Sequence, residues 1–147
     1  MVKNAIIVLM IFSILIVGGC SLMGLTGPRT VTGEWEGRTP RGDNITITFN
    51  KDMTLTSHMK GDRGEYTVQA KYRIDYDKEP IVIDIYDMVL PQGEATAYHG
   101  IVRFQGRDVL VMQGIFQRPG ETEARPTAFG KDAIEYRRVI ADDIFFH

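Results

Sequence analysis

The chain has 147 residues, 44% of them hydrophobic and 24% charged, with a formal net charge of -2 at pH 7. That length suits one domain, the apolar fraction excludes a disordered chain, and the weak acidic balance with scattered Lys and Arg excludes the electrostatic footprint of a nucleic-acid binder. A single cysteine, Cys20, excludes both an internal disulfide framework and a cysteine-ligated zinc site.

Met1 to Asn4 is a short n-region with one positive charge at Lys3, and Ala5 to Val17 is uncharged and apolar. A run of about 13 residues matches a signal-peptide h-region and falls short of the ~20 needed to span a bilayer as a helix. Val17, Gly18, Gly19 and Cys20 follow. They resemble the bacterial lipoprotein signal, in which an aliphatic residue and two small residues precede the cysteine that is lipidated. The resemblance implies cleavage before Cys20 and acylation of its thiol, palmitate being a typical chain. Two or more chains, at ~0.8 kcal/mol per buried CH2, make a stable anchor. Ser21, where sorting in two-membrane bacteria would read an Asp as a retention signal, leans the expected location toward the outer membrane. Residues 1–19 are thus a signal peptide and 20–32 a lipidated tether, with Gly24, Gly27 and Pro28 and no periodicity.

From Gly33 the pattern is period-two alternation broken by turn residues. Gly33–Thr39 carries the only Trp, and Asn44–Asn50 alternates Ile45, Ile47 and Phe49 against threonines. Met53–Lys60 returns after a tight turn. Glu65–Tyr76 is the clearest strand, with Tyr66, Val68, Ala70, Tyr72, Ile74 and Tyr76 on one face and only polar residues on the other. Ile81–Asp87, Ala97–Phe104, Asp108–Phe116 and Ile134–Ile140 complete about eight strands, the last preceded by a longer polar loop, and no convincing helix is found. Such a run predicts an all-β domain over 33–140, an antiparallel up-and-down barrel or a sandwich, followed by a tail at 141–147.

Two patterns carry a further resemblance. Gly33-Glu34-Trp35 resembles the first-strand motif of lipocalins, in which an Arg of the last strand packs over the Trp at the closed end of the barrel; Arg137 and Arg138 stand at that place. The succession Lys78–Ile85, Gly100-Ile101, Asp108–Leu110 and Arg125-Pro126-Thr127-Ala128-Phe129 is similar to a lipocalin-like family of small bacterial envelope domains without an assigned activity. The resemblance implies a lipocalin-like barrel and transfers no reaction.

Catalytic groups are sparse. After Cys20 the only serines are Ser21 and Ser57, and Ser57 and its neighbour His58 point to opposite faces of a strand. The expectation is therefore a protein that is not an enzyme and uses no cofactor and no metal. His58 and His99 are read as exposed strand histidines. Asp84, inside an apolar strand, is expected to serve structure, and the lipocalin-like resemblance, whose pattern holds both residues, implies Arg125 as its mate. Tyr66, Ala70, Tyr72 and Tyr76 are the candidate ligand-binding face, because hydroxyls and a small side chain turned inward suit a pocket better than a sealed core. Together these residues predict a lipid-anchored cell-envelope protein that binds a small apolar or amphipathic molecule. The alternative is a filled barrel whose loops, Pro91–Ala95 and Arg118–Arg125, contact a protein or cell-wall partner.

Overall fold

The computed structural model describes residues 29–90 and 95–140. Cys20, the signal-peptide and tail assignments, and the tether up to Pro28 lie outside these residues. Eight strands follow in chain order: β1 (Gly33–Arg38), β2 (Asn44–Phe49), β3 (Thr54–Gly61), β4 (Gly64–Asp75), β5 (Ile81–Val89), β6 (Ala95–Gln105), β7 (Val109–Gln117) and β8 (Ile134–Arg138). Each pairs antiparallel with the next, and β8 returns to β1 through Trp35↔Arg138, so the sheet closes as an up-and-down barrel of lipocalin-like layout.

Alternation sorts the residues as the pleat requires. Ile45, Ile47 and Phe49 of β2, Val68, Ala70 and Tyr72 of β4, and Leu110 and Met112 of β7 turn into one buried core. Close packing inside needs three glycines. A Cβ on Gly100 or Gly114 would collide with the Tyr98 ring, and one on Gly37 would stand 2.8 Å from Tyr136. The two rings therefore lie flat against the wall where those glycines leave room, and they fill the middle of the barrel.

The two ends differ. Loops at 50–53, 76–80 and 106–108 share an end with the start of β1 and the end of β8, and this end is closed. Residues 29–32 cross it. Val31 is fully buried, its carbonyl accepts the Trp35 Nε1–H at 2.6 Å, and its N–H donates to the Tyr76 hydroxyl at 3.0 Å. Of the residues assigned to the tether, 29–32 are held at this end by hydrogen bonds and one apolar plug instead of by a pleat.

One departure from a uniform barrel concerns β5. The β5–β6 register shifts between Ile85 and Met88, where Asp87 takes a positive φ of 54°. Such a bulge bends the strand. β4 consequently pairs with β5 only from Lys71↔Tyr86 to Asp75↔Val82, whereas its pairing with β3 runs the whole way from Gly61↔Gly64 to Thr54↔Lys71.

Candidate functional site

The end opposite the floor is built from inward-facing residues that remain exposed. Phe116, at the end of β7, is 60% exposed although it shares the inward parity of Leu110 and Met112, and Tyr66 at the start of β4 is 37% exposed. Tyr98 meets Phe116 edge-on with centroids 5.2 Å apart. Met59, which accepts the Tyr66 hydroxyl on Sδ at 2.9 Å, and Leu90 are partly buried against the core at the same end. These residues form an arc of aromatic and sulfur-bearing surface at the barrel mouth, polarisable and adaptable in shape. Burial pushes the Tyr98 and Tyr136 hydroxyls well above the usual phenol range, so both stay neutral below the mouth.

The tyrosine face named from the sequence is not one continuous lining. Ala70 and Tyr72 sit in the packed lower core, and the Tyr72 hydroxyl donates to the Asn50 carbonyl at 2.8 Å. Tyr76 stands at the floor against Val31. Only Tyr66 of the four reaches the mouth, because the strand is long enough for its ends to lie at opposite rims. Phe116, Tyr98, Met59 and Leu90 escape a reading of single strands; the inward parity of Phe116 with Leu110 and Met112 was the available signal.

On the outer wall, Asp84 of β5 gathers three cationic or donor groups. Arg125 donates to its Oδ1 at 2.6 Å, His99 Nδ1 lies 2.7 Å from the same oxygen, and Arg73 reaches Oδ2 at 3.3 Å. Since a carboxylate only accepts, His99 presents Nδ1–H to it. Arg125 also donates to the carbonyls of Ile83 and Gly100 at 3.1 and 2.9 Å. Burial raises the Asp84 carboxyl, but the hydrogen bonds from His99, Arg125 and Arg73 and the Arg125 charge outweigh it and leave it below the ordinary value.

The arrangement pins the β7–β8 connection, 118–133, to the wall. Arg103 stacks over Phe129 with its guanidinium 4.6 Å from the ring centre, and the Gly130 N–H is held by Gln113. Beneath this strap Ile101 and Val111 are buried although they face outward, at 1% and 5% exposure, and neither joins the interior core. A cleft of about 650 Å³ runs beside it, bordered by Arg73, Tyr76, Asp77 and Asp84.

The remaining predicted residues divide. Arg138 lies over Trp35 at 4.1 Å, and donates to the carbonyls of Thr32 at 2.9 Å, Arg107 at 3.2 Å and Thr30 at 3.3 Å. Arg137 instead points outward to Glu135, as alternation along β8 requires of one of two adjacent residues. His58 pairs with Thr67 and Glu65 across the β3–β4 hairpin while His99 is engaged by Asp84, so the two histidines serve different walls. Scans of the chain against known protein families, curated proteins and solved structures find no match.

Proposed function

We propose that this chain is a non-catalytic cell-envelope protein, held at a membrane through lipid on Cys20, whose barrel takes a small apolar or amphipathic molecule at its open end. The observation that carries the reading is the exposure of inward-facing Phe116 and Tyr66 at the end opposite the plugged floor. Attachment through Cys20 agrees with the floor: residues 20–28, at ~3.3–3.6 Å each, reach at most about 30 Å from the closed end, and the mouth then points away from the attachment.

The protein from Ser21 onward, titrated with the fluorescent fatty acid cis-parinaric acid, is expected to bind it. Phe116→Ala should weaken binding about tenfold, since covering a Phe side chain is worth ~1.5–3 kcal/mol. An exposed side chain costs the fold little on removal, within about 0.5 kcal/mol. Binding unchanged in that variant would remove the mouth from the reading.

Location has its own test. Full-length chain expressed in a lipoprotein-processing bacterium should incorporate labelled palmitate, and Cys20→Ala should not; label in that variant would sink the anchor.

A second reading, a filled barrel acting as an interaction scaffold, is favoured by the tyrosine rings packed against Gly37, Gly100 and Gly114. Native mass spectrometry showing no uptake of the fatty acid by the wild-type protein would select it.

A further inference from the structure

The mouth leads down to two tyrosine hydroxyls that the fold does not use. The hydroxyls of Tyr66, Tyr72 and Tyr76 are engaged: Tyr66 donates to Met59 Sδ, Tyr72 donates to the Asn50 carbonyl, and Tyr76 accepts the Val31 N–H. Tyr98 and Tyr136 differ. Neither hydroxyl has a hydrogen-bond partner among the described residues, although Tyr136 is only 3% exposed. Buried polar groups are nearly always paired, so an unpaired phenol at that depth calls for an explanation. Among the described residues no side-chain oxygen or nitrogen is both sealed off and without a partner. The two hydroxyls therefore border space that a water-sized group can enter.

Their placement follows from the register. Tyr98 pairs with Phe116 at the mouth, and its ring runs over Gly100 and Gly114, one inward step nearer the floor. Tyr136 pairs with Leu110, further down the same β7. Phe116, Tyr98 and Tyr136 thus succeed one another along one wall, from the mouth to the middle of the barrel. The two phenols are near enough for the charge of one to act on the other, which adds to the burial that keeps Tyr136 neutral. The facing wall, with Ile47 and Val68, is apolar apart from the inward hydroxyl of Ser57.

A neutral phenol donates one hydrogen bond. Two such donors in an apolar interior suit an acceptor, and the interior selects an uncharged one. Of the inward-facing strand residues only Arg138 carries charge, and it is engaged at the floor by the Trp35 ring and the carbonyls of Thr30, Thr32 and Arg107. A carboxylate drawn down to the phenols would lose its hydration with no counter-charge beside it.

We infer that Tyr98 and Tyr136 bind the head of the barrel's ligand, an uncharged carbonyl or hydroxyl group on an alkyl chain, which enters head first and leaves its chain against Phe116 and Tyr66. This rests on the reading of the mouth as a binding site and adds the class and orientation of what binds.

Two probes test it on the protein from Ser21 onward: methyl heptyl ketone, isotope-labelled at its carbonyl carbon, and cis-parinaric acid at mildly alkaline pH, where its carboxylate is ionised. Tyr98→Phe and Tyr136→Phe each remove a single oxygen. In calorimetric titration each should weaken ketone binding about fivefold, the worth of one hydrogen bond, and the double variant should lose more than about tenfold. The infrared carbonyl band of the bound ketone should lie below its frequency in hexane and move back up in each variant. Binding of parinaric acid, whose ionised head stays in water at the mouth, should be unchanged. Melting temperatures should equal or exceed that of wild type, because no hydrogen bond within the protein is lost.

Ketone binding equal in wild type and both variants, or a carbonyl band at its hexane frequency, overturns the inference. A lower melting temperature in either variant does so too, since the hydroxyl then serves the fold. Loss of parinaric acid from the variants would show that the phenols take a carboxylate, and the uncharged head falls. Wild-type uptake of parinaric acid without the ketone sinks this inference alone, whereas uptake of neither probe sinks the mouth reading and this inference with it.

Discussion

Trp35→Ala is expected to lower the free energy of unfolding by about 3–5 kcal/mol, the range for truncating a buried aromatic. Trp35 is fully buried, and three things depend on its ring. The indole N–H holds the Val31 carbonyl, the Arg138 guanidinium lies over the face at 4.1 Å, and Phe104 packs at 6.4 Å between centroids. Removing the indole therefore empties the floor and unseats the crossing segment as well. Arg138 keeps its bonds to Thr30, Thr32 and Arg107 but loses the surface beneath it. A domain of this size is stable by only about 5–15 kcal/mol, so the variant should unfold at a much lower urea concentration. Trp35→Phe is the control: it keeps an aromatic platform for Arg138 and should recover part of the loss. A urea midpoint for Trp35→Ala equal to wild type would mean that the floor is held without the ring.

The eight strands and their order were legible because period-two alternation survives wherever one face is buried, and β4 shows it for its full length. The pairing of Asp84 with Arg125 was legible for a different reason: a carboxylate in an apolar strand demands a partner, and both residues belong to the lipocalin-like pattern. His99 joins them through the β5–β6 register, Asp84↔His99, which no single strand reveals. The strap was illegible because its loop is polar, while the apolar residues it covers, Ile101 and Val111, sit in β6 and β7 and read as ordinary strand residues. The tyrosine face divides between the two ends for a geometric reason. A strand as long as β4 passes from rim to floor, so residues sharing a face need not share an environment.

Asp84→Ala should loosen the strap while leaving the floor intact. Removing the carboxylate takes away the shared acceptor of Arg125 and His99. The partly buried guanidinium keeps only the two carbonyls of Ile83 and Gly100. Hydrogen bonds to charged groups contribute about 1.5–3 kcal/mol, less where water reaches them; with Asp84 15% exposed and Arg73 largely in solvent, a net loss of about 2 kcal/mol is expected. Local opening should follow first. Glutamyl endopeptidase should cut the variant faster than wild type at Glu121 and Glu123, both exposed in the strap, while Trp35 fluorescence stays native. The pH dependence has a defined sign. The folded-state carboxyl is held below its ordinary value, so its contribution is complete above the unfolded pKa of about 3.9 and disappears as pH falls through the folded one. The groups facing it are Arg73 from β4, His99 from β6 and Arg125 from the strap. Of these, the two arginines keep their charge throughout that acid range. The stability gap between wild type and Asp84→Ala should therefore close in strong acid, read from urea midpoints at a series of pH values. A gap that stayed constant down to the acid end would show that Asp84 acts through its shape in the wall and not through its charge.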